Sequence, residues 1–163
     1  MFRLIEEYRI PLDDMNVPRL ARLLAYWTEK CDGNALPRRV DIDPTDLREH
    51  LGLVHLVDVV APGTFRFRLY GSEWASPYGR DMTGRTTADY EDREFGALVT
   101  RHYQECVDGG APVCHYVCGE LERRLYAFLR LVLPMTQNGQ GVDMLLVSPH
   151  RCQEGAHPYA SRR

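Results

Sequence analysis

The chain has 163 residues, 44% hydrophobic and 26% charged, with a formal net charge of −3. That length and balance fit one folded domain with its own core and exclude disordered, collagenous and disulfide-scaffolded classes. The slight acidic excess lacks the basic stripe of a nucleic-acid binder, so no nucleic-acid partner is expected.

The five cysteines stand at 31, 106, 114, 118 and 152. An odd, scattered set suggests no disulfide framework and fits a reducing compartment. Residues 1–17 are mixed in polarity, carry Glu6 and Glu7 and are broken by Pro11. They read as an N-terminal extension and not as a signal peptide. No apolar run reaches membrane-spanning length, so the expected location is cytoplasmic, with no membrane partner.

From Pro18 to Cys31 the spacing of Leu20, Leu23, Leu24 and Trp27 predicts a helix, with Pro18 in its first turn. "DIDPTDLREHLG" predicts a second, short helix capped by Asp43 and ended by Gly52. "LVHLVDVV", "APGT" and "FRFRLY" predict a β-hairpin. Residues 71–89 are rich in turn formers and predict short helical turns. A long helix capped by Asp89 runs to about Asp108, with Phe95, Leu98, Val99, His102 and Cys106 on one stripe. Three strands follow in "PVCHYVCGEL", "RLYAFLRLVLPM" and "GVDMLLVSP", and residues 150–163 read as a flexible tail. Strands split by helices indicate an α+β fold with an antiparallel sheet.

Alternation assigns faces. Phe65, Phe67 and Leu69 point one way, and Arg66, Arg68 and Tyr70 the other. In the next-to-last strand Leu125, Ala127, Leu129, Leu131 and Leu133 form an apolar face. Arg124, Tyr126, Phe128 and Arg130 form a mixed one. The expectation is that Phe65, Phe67, Leu129 and Leu131 all face the helices. Cross-strand pairing with acids accounts for the strand arginines without an anion ligand. Gly71, Gly79 and Gly84 are spaced too widely for a dinucleotide fingerprint and read as turn residues.

The segments "LLAYW" (23–27), "LPRRVDIDP" (36–44), "LGLVHLVDV" (51–59), "FRFRLYGSE" (65–73) and "YGRDMTGR" (78–85) resemble a bacterial PAS-domain family found largely as short stand-alone proteins. The resemblance covers roughly residues 18–148, and residues 18–149 are taken as the domain. It implies a PAS fold: a five-stranded antiparallel sheet with helices over one face and an N-terminal flanking helix. It also implies a non-enzymatic sensory module that binds a small ligand or a signalling partner and has no output segment of its own. A pocket between sheet and long helix is then expected, lined by Phe67, Leu69, Trp74, Tyr78, Leu98, His102 and Leu129.

His102 occupies the position that resembles the proximal histidine of haem-binding PAS domains, but a core-edge histidine bonded to backbone is the preferred explanation. No cysteine lies between 71 and 90, which excludes a flavin adduct of the LOV type. Neither haem nor flavin is expected. In "CHYVC", Cys114, Tyr116 and Cys118 share a face and His115 points away, so no zinc set forms and the cysteines read as structural. A cavity enzyme is the alternative, with Asp81, Asp89 or His102 as general base. A ligand-free interaction module is a third reading. The leucine–tryptophan stripe of the first helix and the aromatics Tyr70, Tyr126 and Phe128 on the sheet's outer face predict a homodimer built on that helix, the alternative being a monomer with the helix folded back on its own sheet.

Overall fold

The computed structural model describes residues 1–78 and 80–153, with backbone alone for 76–78. It is α+β. Strands β1 (Phe2–Arg9), β2 (His55–Ala61), β3 (Thr64–Leu69), β4 (Val113–Leu121), β5 (Arg124–Met135) and β6 (Met144–Arg151) form one sheet in the order β1-β4-β5-β6-β2-β3. Every pairing between neighbouring strands is antiparallel. Helix α1 (Pro18–Cys31) covers one face; α2 (Ser72–Tyr78) and α3 (Arg93–Gly109) lie on the other.

The sixth strand, β1, is the difference from the five expected. Its residues alternate poorly because it carries a bulge: Leu4 pairs with Gly119 and Glu6 with Cys118, leaving Ile5 as the extra residue. The bulge flips the alternation, so Phe2 and Glu7, five apart, reach the same face. Phe2 anchors the strand by packing against Phe95 at 5.3 Å between ring centroids. Gly119 makes room for this ring; a Cβ there would sit 2.3 Å from it.

Strand β5 is buried throughout from Phe128 to Met135. Leu129, Leu131, Leu133 and Met135 pack with Leu20, Leu23 and Trp27 of α1. Phe128 packs with Leu98, and Val132 with Val99 and Tyr103 of α3. Phe65 and Phe67 lie on the α3 side with Tyr103, Met82 and Val57. The expected common face is therefore corrected: Phe65 and Phe67 face α3, whereas Leu129 and Leu131 face α1. Both sides of β5 are covered, so its more apolar face did not identify which helix it meets.

Helix α1 folds back on its own sheet. Leu20 and Leu23 are fully buried, and Trp27 donates from Nε1 to the Pro134 carbonyl at 2.8 Å. The stripe offered for a dimer is thus consumed within the chain. Of the aromatics placed on the same outer face, Tyr70 and Phe128 lie beneath α3 and α2 instead.

Local differences have simple causes. "DIDPTDLREHLG" forms turns, the end of one 3-10 turn (Arg39–Asp41) and a second (Arg48–His50), while Asp43 closes a turn by accepting from the Thr45 amide at 2.8 Å. Helix α3 is capped by Asp92, which accepts from the Phe95 amide at 3.0 Å. Asp89 instead closes the preceding 3-10 turn with Thr86. The hairpin, the three C-terminal strands and the short helical turns over 71–89 form where expected. Arg66 and Arg68 both pair with Asp58 across the hairpin, at 3.8 and 2.9 Å, as cross-strand pairing predicts. Residues 154–163, most of the expected tail, lie outside the described residues; β6 itself runs on to Arg151.

Replacing Trp27 with Ala should lower stability by about 3–5 kcal/mol through cavity formation and loss of the Pro134 contact. Urea unfolding measures this. A change in self-association with little change in stability would instead place the stripe between chains.

Candidate functional site

Four elements deliver ionisable side chains to one place beneath α3. The apolar stripe of α3 turns His102 inward, where it is fully buried. The interior face of β5 supplies Arg130, 4% exposed. β4 supplies His115, and the bulge in β1 swings Glu7 to the same side.

Their contacts form a chain. Arg130 Nη1 lies 2.8 Å from His102 Nδ1, and His102 Nε2 lies 2.6 Å from Glu7 Oε1. A guanidinium only donates, so His102 Nδ1 is the acceptor and Nε2 carries the proton, which it donates to Glu7. His102 is therefore a neutral imidazole in one defined tautomer. Burial, and then the Arg130 charge, push its pKa far below the ordinary value. Arg101 pairs with Glu7 from the solvent side.

His115 stacks on His102, with ring centroids 3.8 Å apart and planes 5° from parallel. Its Nε2 lies 2.8 Å from Glu105 Oε2, and Glu105 is also held by Arg9 at 3.1 Å. Its Nδ1 is buried without a hydrogen-bond partner. Burial lowers the His115 pKa, opposed by Glu105. Two apolar rings lie against Arg130, its Cζ 5.1 Å from the Phe128 centroid and 5.6 Å from that of Phe95.

Glu7, His102 and His115 each bring a potential ligand atom within 4.8 Å of the others. The stacked imidazoles nevertheless direct their in-plane lone pairs side by side, which prevents convergence on one ion at about 2 Å. Arg130 also fills His102 Nδ1 with a cation. The geometry is that of a hydrogen-bonded network.

The pocket residues expected from sequence divide. Phe67, Leu98 and His102 are buried beneath α3, and Trp74 packs beside Phe67, its Nε1 3.3 Å from the Leu53 carbonyl. Leu129 faces α1 on the opposite side of the sheet, so it cannot line the same space. Leu69 is 46% exposed because the hairpin register shifts between Leu56 and Val57, taking it off the Phe67 face. The side chain of Tyr78 lies outside the described residues. His102 bonds to Glu7 and Arg130 instead of to backbone. Sequence reasoning missed Glu7, Arg130, His115 and Glu105 as site residues. The available signal was Arg130, a charge interrupting the apolar half of β5.

The general bases offered by sequence are occupied. Asp81 accepts from the Thr83 amide at 2.8 Å, and Asp89 from the Thr86 amide at 2.8 Å; both close turns, and those bonds lower their pKa values. Cys114, Tyr116 and Cys118 share the α1 face while His115 points to α3, as alternation predicts. Burial raises the Cys106 and Cys114 thiols to about 12, which makes both inert at neutral pH.

His55 is a further buried neutral histidine. It stacks on Tyr70, accepts from the Gly71 amide at 2.9 Å and is pushed by burial down to about 3. A histidine whose folded pKa lies below its unfolded value binds its proton more readily when unfolded. His55 and His102 therefore contribute stability that is complete above about pH 6.5 and is lost as pH falls toward their folded pKa values. Each should cost about 1.4 kcal/mol per pH unit in the window below pH 6. Urea unfolding at pH 7, 6 and 5 should show this loss, and His102→Gln should flatten the slope by about one proton. An unchanged slope would mean that His102 titrates normally in the fold.

The sequence profile of a family described as PAS domain matches residues 15–146. No curated protein matches the chain. The matched span takes in α1, β2 to β5, α2, α3 and the start of β6; α2 and α3 share one face of the antiparallel sheet as expected, while the flanking helix α1 covers the other. The chain belongs to the PAS-domain family.

Proposed function

We propose that this chain is a sensory PAS module whose input site is the polar network beneath α3, and whose output passes to a partner protein. PAS domains are sensory and signalling modules in general. The observation that carries the reading is the placement of the network. It joins the long helix, the central strand β5, the strand β4 and the edge strand β1 through His102, Arg130, His115 and Glu7. A ligand that changed the charge or bonding of Arg130 would alter the hold of His102 on Glu7, and so the docking of β1 against α3. Edge strands are among the elements most easily released, because they have a neighbour on one side only.

A non-catalytic role accords with the same contacts. Both nitrogens of His102 are engaged, the buried thiols are inert, and Asp81 and Asp89 are tied into turns. A cavity enzyme would need a free base beside its substrate. Among the described residues no helix is long and apolar enough to cross a membrane.

The test is native mass spectrometry of gently purified protein, with hydrogen exchange as its companion. The expected result is a mass excess below about 500 Da, lost on denaturation and absent from Arg130→Met; such a ligand is small enough for a pocket of ordinary size. Exchange in β1 and α3 should slow when the released fraction is returned. No mass excess, and no change in exchange on adding cell-extract metabolites, would overturn the sensory reading in favour of a ligand-free interaction module.

A further inference from the structure

We infer that the input site takes a small monocarboxylate, bound by the free edge of the Arg130 guanidinium. This rests on the reading of the network as an input site, and adds the chemical class of the ligand.

Charge balance comes first. Arg101 is matched by Glu7, and Arg9 by Glu105. His102 is neutral, with its proton on Nε2 directed at Glu7. Arg130 has no carboxylate within ion-pair distance among the described residues; its polar contact there is the imidazole of His102. The cluster therefore holds one cation more than it has anions. A monoanion closes this balance, whereas a dianion would overshoot it.

Donor geometry comes second. A guanidinium has five N–H donors in a rigid fork, and one of them is used by His102. Among the described residues His102 is the hydrogen-bond partner of Arg130, so the rest of its fork is uncommitted. A carboxylate offers two coplanar oxygens that match the fork.

The surroundings set the third requirement. Phe95 and Phe128 lie against the guanidinium, and the half-buried Tyr90 and buried Tyr103 are close enough to act on its charge. An anion here loses its water, so it needs a short apolar body to replace that contact. Acetate, propionate and benzoate have this form; inorganic phosphate and sulfate do not.

The experiment titrates sodium acetate, sodium propionate and sodium benzoate against sodium chloride at constant ionic strength. Backbone amide shifts of the full chain are followed by NMR. The expected result is saturable shifts confined to residues 95–103 and 128–132, with at least one carboxylate binding tenfold or more tightly than chloride. Arg130→Met replaces a buried charge by an apolar side chain of similar length and should fold while losing the response. Arg130→Lys keeps the charge without the fork and should weaken binding about tenfold. Equal shifts with chloride, or saturable shifts that survive in folded Arg130→Met, would overturn the carboxylate assignment. So would a neutral ligand identified in the mass excess, and in that case the input site itself would stand. Absence of both carboxylate shifts and mass excess would remove the two together.

Discussion

Strand β5 is covered on both faces, and most of the molecule follows from that. From Phe128 to Met135 neither face of β5 is left to solvent, so each side needs its own cover. On one side this is α1, whose Leu20, Leu23 and Trp27 meet Leu129, Leu131 and Leu133. On the other it is α3, with Leu98, Val99 and Tyr103 against Phe128 and Val132. Burying side chains of this size contributes about 1.5–3 kcal/mol each, so the two covers together supply much of the core. The same burial makes Arg130 expensive, because a guanidinium at that point is removed from water along with its apolar neighbours.

Among the described residues that cost is offset without an ion pair. Phe95 and Phe128 present ring faces to the guanidinium, and His102 accepts one of its hydrogen bonds. The acceptor role fixes the His102 tautomer, which in turn points a proton at Glu7. A single buried charge thus orders a histidine, a carboxylate and, through them, the edge strand. Replacing Arg130 by an apolar residue would make a simpler core. Its presence on the α3 face of the sheet is the observation on which the proposed input site rests.

The approach of β1 depends on two small features of backbone. The extra residue at Ile5 brings Phe2 and Glu7 to the same face, and Gly119 leaves space for the Phe2 ring. Phe2 then meets Phe95 and Glu7 meets His102, so the strand is held to α3 at one apolar and one polar point. The Asp92 side chain that caps α3 also accepts from the Phe2 amide. Helix start, edge strand and buried network are therefore one mechanical unit.

The sequence by itself determined the elements that carry strong periodicity or strong punctuation. These are α1, α3, the hairpin around Pro62 and Gly63, and the three C-terminal strands, together with the PAS character of residues 15–146. Asp58 could be foreseen as a partner for the hairpin arginines, because pairing across a two-strand turn is local. Tertiary structure alone decided the rest. β1 is mixed in composition and shifted by its bulge, and it becomes a strand through contacts with β4, more than 100 residues away. Which face of β5 meets α3 is invisible to alternation, because alternation separates two faces without naming their partners. The site followed the same rule. His102 was legible as a polar residue on an apolar stripe, but its role depends on Glu7, Arg130 and His115, which come from three different strands. Charge balance is a property of their assembly, and no one segment of the sequence contains it.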